Sequence, residues 1–197
     1  MTSLAFKFHV SSTCRGLLTS DKSQLIDELR RTIRDVHNFP KPGIVFKDVT
    51  PVLSDVKLFG QTVEAMAEPY RGARITRVVA IESRGFLFGA PIALELGAGL
   101  VPIRKPGKLP AATQRVEYAL EYGSDALEMH HDAVQPGDRV LIVDDVLATG
   151  GTANAAAQLV GGTGAAVAGF TFLIELDYLK GRQRLQGRRA EALLHYA

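Results

Sequence analysis

The chain has a single cysteine, Cys14. An internal disulfide is therefore ruled out, as is any zinc or redox centre built on cysteine, and a reducing, cytoplasmic setting fits. No apolar run approaches the ~18 residues that a membrane-spanning helix needs, so no membrane association is expected. Neither charge is in marked excess: 23 basic and 21 acidic residues leave a formal net charge of +2. That balance predicts no general affinity for nucleic acid, although a local basic cluster could still hold an anionic ligand. The first 20 residues lack acidic side chains altogether and carry Lys7, Arg15 and seven Ser or Thr. They read as a poorly ordered extension in preference to a targeting peptide.

What is present is an ordinary globular composition, with 46% of residues hydrophobic and 22% charged. The length suits one domain, expected over residues 21–197, with no interdomain linker and no internal repeat. Leu25, Leu29, Ile33 and Val36 recur at helical spacing, with Asp21 and Gln24 placed like a capping box, so a helix is expected from Asp21 to about Val36. Phe39-Pro40-Lys41-Pro42-Gly43 then breaks it. A second helix is expected over Val56–Tyr70, a buried strand over Arg77–Ile81 and an apolar helix over Phe86–Leu96. A short strand at Leu100–Ile103 follows, then a basic loop from Arg104 to Arg115. Val116–Tyr122 and Asp125–His130 flank Gly123-Ser124, which reads as a two-residue hairpin turn. Val140–Val143 is the strongest buried strand, and a helix over Ala153–Val160 and a strand over Ala166–Ile174 come after it. Strands alternating with helices predict an α/β domain with an open, mainly parallel sheet and a projecting hairpin flap.

The chemistry is concentrated in Val140-Leu-Ile-Val-Asp144-Asp145-Val-Leu-Ala148-Thr149-Gly150-Gly151-Thr152. A strand ends in two carboxylates, and a Thr/Gly loop opens a helix. The loop offers unpaired N–H groups at a helix N-terminus, where a phosphate is favoured, and Thr149 and Thr152 add hydroxyls. Asp144 and Asp145 would repel that phosphate if they faced it. Vicinal ribose hydroxyls, which donate to carboxylates, suit them, and a magnesium ion is the alternative. A phosphate cradle beside paired carboxylates points to ribose 5-phosphate. A nucleotide-binding lysine motif is absent, because Gly151 is followed by Thr152 with no lysine. Gly162-Thr-Gly-Ala-Ala-Val167 precedes a strand instead of following one, so it is no dinucleotide fingerprint.

That 13-residue stretch resembles the phosphoribosyl pyrophosphate signature of type I phosphoribosyltransferases. Phe39 to Pro51, Glu82-Ser-Arg-Gly-Phe-Leu-Phe-Gly-Ala-Pro91, Arg104-Lys-Pro-Gly-Lys-Leu-Pro110 and Leu120-Glu-Tyr-Gly123 resemble the adenine-using branch of that family. The resemblance implies a small N-terminal hood over residues 37–52 and a homodimer. It implies that Ala148, Thr149, Gly150, Gly151 and Thr152 hold the 5-phosphate, while Asp144 and Asp145 hold the ribose hydroxyls. Arg84 would lie beside pyrophosphate in a loop that often carries a cis peptide. Arg104, Lys105 and Lys108 would form a mobile basic cover that meets the leaving pyrophosphate and excludes water. Magnesium would be carried by pyrophosphate, with no dedicated protein ligands.

For the base, the resemblance implies backbone hydrogen bonds from Val45 and Lys47, stacking by Phe46, an apolar wall at Leu176 and proton transfer by Glu121. Relatives that use 6-oxopurines usually carry Asp where this chain has Ala148. Adenine and phosphoribosyl pyrophosphate are thus the expected small-molecule substrates, with AMP and pyrophosphate the products. A binding regulator without turnover, or a xanthine- or orotate-type transferase, is the alternative.

Overall fold

The structure is a computed structural model and describes residues 19–119 and 124–197. Helix α1 (Thr19–Thr32) is followed by strands β1 (Arg34–His37) and β2 (Val45–Asp48), then by helices α2 (Thr50–Ser54) and α3 (Val56–Ala67). Next come β3 (Arg77–Ile81), α4 (Gly85–Leu96), β4 (Gly99–Ile103), β5 (Thr113–Ala119) and β6 (Ser124–His130). The chain ends with β7 (Arg139–Leu147), α5 (Gly151–Gly162), β8 (Ala166–Leu176) and β9 (Ala190–Tyr196).

Five strands form a parallel sheet in the order β4-β3-β7-β8-β9. Alternation along the strands divides the core in two. Val78, Leu141, Val143 and Leu173 face α1, α3 and α4 through Leu29, Leu58, Met66, Phe88 and Ile92. Val79, Ile81, Ile142, Phe170 and Phe172 face α5 and the β5–β6 flap through Ala156, Val160, Leu127 and Met129. Small residues on the buried face of α5, Ala153, Ala155, Ala156 and Ala157, let that helix lie close to the sheet. Full burial of one Leu or Ile contributes roughly 1.5–3 kcal/mol, so the two layers together hold the sheet's strand tips in place. The fold matches the expected open parallel sheet with helices, flap and hood.

Several expected boundaries need correction. The first helix stops at Thr32, and Asp21 lies in its first turn and not at its start, which is Thr19. Arg34–His37 is a strand because the turn through Gly43 folds the chain back, so that Val36 pairs with Phe46. Gly43 N–H donates to Asn38 Oδ1 at 3.0 Å inside that turn. The hood is therefore a hairpin followed by the short helix α2. The basic loop ends before Thr113, where β5 begins. The flap is not joined by a two-residue turn at Gly123-Ser124. Ala119 pairs with Ser124, so Ser124 belongs to strand β6 and not to a turn, and the register sets Tyr118 opposite Asp125 and Val116 opposite Leu127. β7 runs past Val143 to Leu147, because β8 continues to pair with it beyond the carboxylates. Strand β9 and the 3-10 turns at Asp177–Leu179 and Gly181–Leu185 had no expected counterpart. Among the described residues no helix is long and apolar enough to cross a membrane.

Candidate active site

The sheet order reverses between β3 and β7. β3 pairs with β7 only as far as Val143, whereas β7 continues to Leu147. Asp144 and Asp145 thus lie on β7 beyond the end of β3, at the crevice outside the strand tips where such sheets bind ligands. A cavity of about 870 Å³ opens there. Its walls bring together Val45, Phe46, Lys47, Arg84, Lys105, Asp144, Asp145, Ala148, Thr149, Thr152 and Leu176, all expected from the sequence. Gly150 joins Asp144, Ala148, Thr149 and Thr152 around a smaller hollow of about 70 Å³. Gly151 is buried as the first residue of α5 and faces neither space. Arg104 and Lys108 do not line the large cavity. Glu121 lies outside the described residues.

The Ala148–Thr152 loop is shaped by two close backbone contacts. Gly150 has φ 78°, and a Cβ there would sit 2.3 Å from the Gly181 carbonyl oxygen. A Cβ on Gly181 would sit 2.1 Å from the Ala148 carbonyl oxygen. Neither position has room for a side chain, and Gly150 also needs the left-handed backbone that glycine adopts at no steric cost. No side chain caps α5. Its first N–H groups and its dipole are left to whatever anion occupies the hollow.

The carboxylates sit on opposite sides of β7 by strand alternation. Asp145 is almost fully buried and forms a short ion pair with Arg84 Nε. The Arg84 guanidinium in turn lies 4.9 Å from the centre of the Phe46 ring. Burial, and then the neighbouring Asp145 carboxylate, push the Asp144 carboxyl well above the usual carboxylate range. Its Oδ1 accepts from the Asp145 N–H at 2.9 Å. A pair in which one member is matched by arginine and the other favours its proton carries less negative charge than two free aspartates, so it can stand close to a phosphate. Gly85 makes the crowding possible, since a Cβ there would lie 2.9 Å from Asp144 Oδ1. The Glu82–Ser83 peptide in this segment is cis, as the resemblance implied.

The hood covers the other end. In the two-stranded β1–β2 sheet, β2 keeps one edge unpaired, and Val45 and Lys47, two residues apart, turn their backbone groups to the same edge. The Lys47 side chain bonds Asp35 Oδ1 at 2.7 Å and lies 3.9 Å from the centre of the Tyr196 ring. Phe46 meets Phe39 edge-on, with ring centres 5.2 Å apart.

The sequence reading missed Glu82, Tyr118, Asp125, Tyr178 and Gly181. Tyr118 hydroxyl donates to Asp125 Oδ2 at 3.3 Å and accepts from Thr152 Oγ1 at 3.4 Å. Its signal was available, because Val116 and Tyr118 alternate on the face of β5 that packs on the core. Gly181 carried no local signal.

The phosphoribosyl transferase domain profile matches residues 53–189 of this chain. An adenine phosphoribosyltransferase of Myxococcus xanthus is 58% identical over 172 residues, covering 87% of this chain and 94% of its own length. The chain belongs to the adenine phosphoribosyltransferase family. Solved members of the family share its fold. The enzyme from Thermoanaerobacter pseudethanolicus is 51% identical and covers 87% of this chain and 99% of its own, with a TM-score of 0.85. The one from Saccharomyces cerevisiae, solved with adenine and an imino-altritol bisphosphate, is 41% identical with a TM-score of 0.83 and covers 87% of this chain and 99% of its own.

Proposed function

We propose that this chain transfers the 5-phosphoribosyl group of phosphoribosyl pyrophosphate to adenine, releasing AMP and pyrophosphate in purine salvage. The observation that carries this reading is that an uncapped helix N-terminus and an open-edged hood face each other across one cavity, with the paired carboxylates between them. The 5-phosphate would take the hollow formed by Ala148 to Thr152. The ribose hydroxyls would bond to Asp144 and Asp145, and the Asp145 carboxylate, held beside Arg84, would also favour the cation-like ribose of the transition state. Arg84 and Lys105, two of the cations that line the cavity, would meet the leaving pyrophosphate. Adenine would lie under the hood, against Phe46 and Leu176, with Val45 and Lys47 bonding it through the backbone. A pocket that reads adenine's amino group with acceptors leaves them unpaired against a 6-oxopurine. Glu121 is the assigned proton-transfer residue.

Magnesium would be carried by the substrate's pyrophosphate and would offset its negative charge. Asp145 is engaged by Arg84. The one group of three metal-type side chains among the described residues, Glu175, Asp177 and His195, has Glu175 bonded to Arg182. A homodimer is the expected assembly, supported by the exposed Leu87 and Leu94 on α4 and Leu100 on the edge strand β4. A cytoplasmic setting fits the lone cysteine.

Assay of the purified protein with phosphoribosyl pyrophosphate, magnesium and a panel of adenine, hypoxanthine, guanine, xanthine and orotate tests the reading. Adenine should be converted to AMP, with the oxopurines poorer by at least ~10²-fold. Turnover of no base would leave a binding regulator, and preference for an oxopurine or orotate would overturn the base assignment. Full activity in excess chelator would overturn the role of magnesium.

A further inference from the structure

The basic loop carries three cations, and the structure disposes of them unequally. Glu82 follows β3, and its side chain is only 9% exposed. It accepts from Arg104 Nη2 at 3.2 Å and from the Lys105 backbone N–H at 3.0 Å, and it forms a short ion pair with Lys108 Nζ. Its own N–H donates to the Ile103 carbonyl at 2.9 Å. The rest of the loop is folded around the same point. Arg104 exchanges two backbone hydrogen bonds with Glu128, and Arg104 Nη1 donates to the Lys108 carbonyl at 3.1 Å. Gly107 N–H donates to Glu128 Oε2 at 3.0 Å. Lys105 alone of the three turns into the cavity, where Nζ lies 2.9 Å from Asp125.

We propose that Glu82 is a positioning residue for the phosphoribosyl transfer read above: Arg104 and Lys108 act on Glu82 to hold the loop folded, and Lys105 is the loop's cation for the leaving pyrophosphate. Two physical arguments support this. If Arg104 and Lys108 moved to pyrophosphate, they would strand a nearly buried carboxylate on the wall of a cavity that receives a polyanion, which low-dielectric surroundings penalise heavily. With them in place, the Glu82–Arg104–Lys108 group keeps a net positive charge and still attracts the substrate. Lys105, by contrast, needs only to exchange the half-exposed Asp125 pair for a phosphoryl oxygen. Its backbone N–H is bonded to Glu82, so the clamp sets where its side chain starts.

The test is a double-mutant cycle of Glu82→Gln and Lys108→Met beside Lys105→Met. It is read as KM for phosphoribosyl pyrophosphate and for adenine, together with hydrogen exchange of the loop amides in the substrate-free protein. Lys105→Met should raise the phosphoribosyl pyrophosphate KM about 10²-fold. Lys108→Met should raise it about 10-fold alone but less than about 2-fold in the Glu82→Gln background, with adenine KM unmoved. Both clamp variants should speed exchange at the Lys105 amide. An equal Lys108→Met effect in both backgrounds means direct contact with pyrophosphate and overturns the proposal, as does unchanged exchange in Lys108→Met. If Glu82→Gln fails to fold, the exposed-site variant Lys108→Met still decides through exchange. If the wild type turns over no base, the functional reading fails by itself, and exchange, which needs no substrate, still tests the clamp.

Discussion

At the end of the cavity proposed for the phosphate, buried Gly150 and Gly181 pack backbone to backbone with no room for a methyl group. At the base end, Phe39 is 51% exposed, Ile44 44% and Val45 37%, on a hairpin of two strands. The first region is made from main chain held by the sheet and α5, and the recognition chemistry proposed for it is the unpaired N–H groups of a helix terminus. The second is made from a strand edge and the Phe46 ring, and in the proposed reading it admits one flat base and refuses others. A phosphate is a fixed tetrahedral anion, so rigid backbone suits it. Base choice depends on which edge atoms donate and which accept, so it suits a separate covering element.

That contrast predicts that damage at the two ends will separate in the kinetics. The largest loss is expected from Glu121→Gln, at the proposed proton-transfer residue: kcat should fall about 10²- to 10³-fold while KM for phosphoribosyl pyrophosphate stays near wild type. Unchanged kcat in steady-state assays would remove Glu121 from the mechanism. Next is Gly181→Ala. Its methyl would press on the Ala148 carbonyl, so the phosphate loop must shift, and overpacking of ~3 kcal/mol corresponds to about a 10²-fold rise in KM for phosphoribosyl pyrophosphate. Adenine KM should hardly move, and calorimetric titration that found normal phosphoribosyl pyrophosphate affinity would show that the two glycines do not set the loop. At the base end, Phe46→Leu keeps apolar contact but loses the stacked ring and the surface under Arg84. A cost of about 0.5–1.5 kcal/mol predicts a 2- to 10-fold rise in adenine KM with the phosphoribosyl side unaffected. An effect confined to phosphoribosyl pyrophosphate instead would break the division between the ends.

The smallest effect concerns acid stability. Burial would raise the Glu82 carboxyl, but Lys108, the Lys105 N–H and Arg104 outweigh it and hold it down to about 2 from an ordinary 4.5. A depressed folded-state value means the contribution is full above pH 4.5 and is lost as pH falls toward 2. Glu82→Gln should therefore melt lower than wild type at neutral pH, and the two should converge on acidification. Thermal melts across that range that run parallel would refute it.

Much of this was legible beforehand, and the misses have local causes. Arg77–Ile81 and the phosphate loop were readable because runs of β-branched residues and closely spaced glycines act on the backbone within a few positions. Val36 was misread because a strand of four residues has too little periodicity to oppose a helix stripe that continues into it; its pairing with Phe46 settles the matter across the turn. Gly123-Ser124 was misread because a good turn dipeptide does not set register, which here follows Val116 opposite Leu127 and Tyr118 opposite Asp125. Strand β9 was missed because Ala190–Tyr196 carries charge and a histidine and is recognisable only as the partner of β8.

The sequence by itself determined the α/β alternation, the glycine loop at Ala148–Thr152 and the paired aspartates, because each is a preference expressed over a short stretch of chain, while the hood was legible only through the family resemblance. Only the tertiary structure decided that Gly181 backs Gly150, that Arg84 satisfies Asp145, and that of three loop cations Lys105 faces the cavity while Arg104 and Lys108 hold Glu82. Glu82 and Lys108 are 26 positions apart, and steric exclusion and charge pairing act through space, so neither is written in local composition.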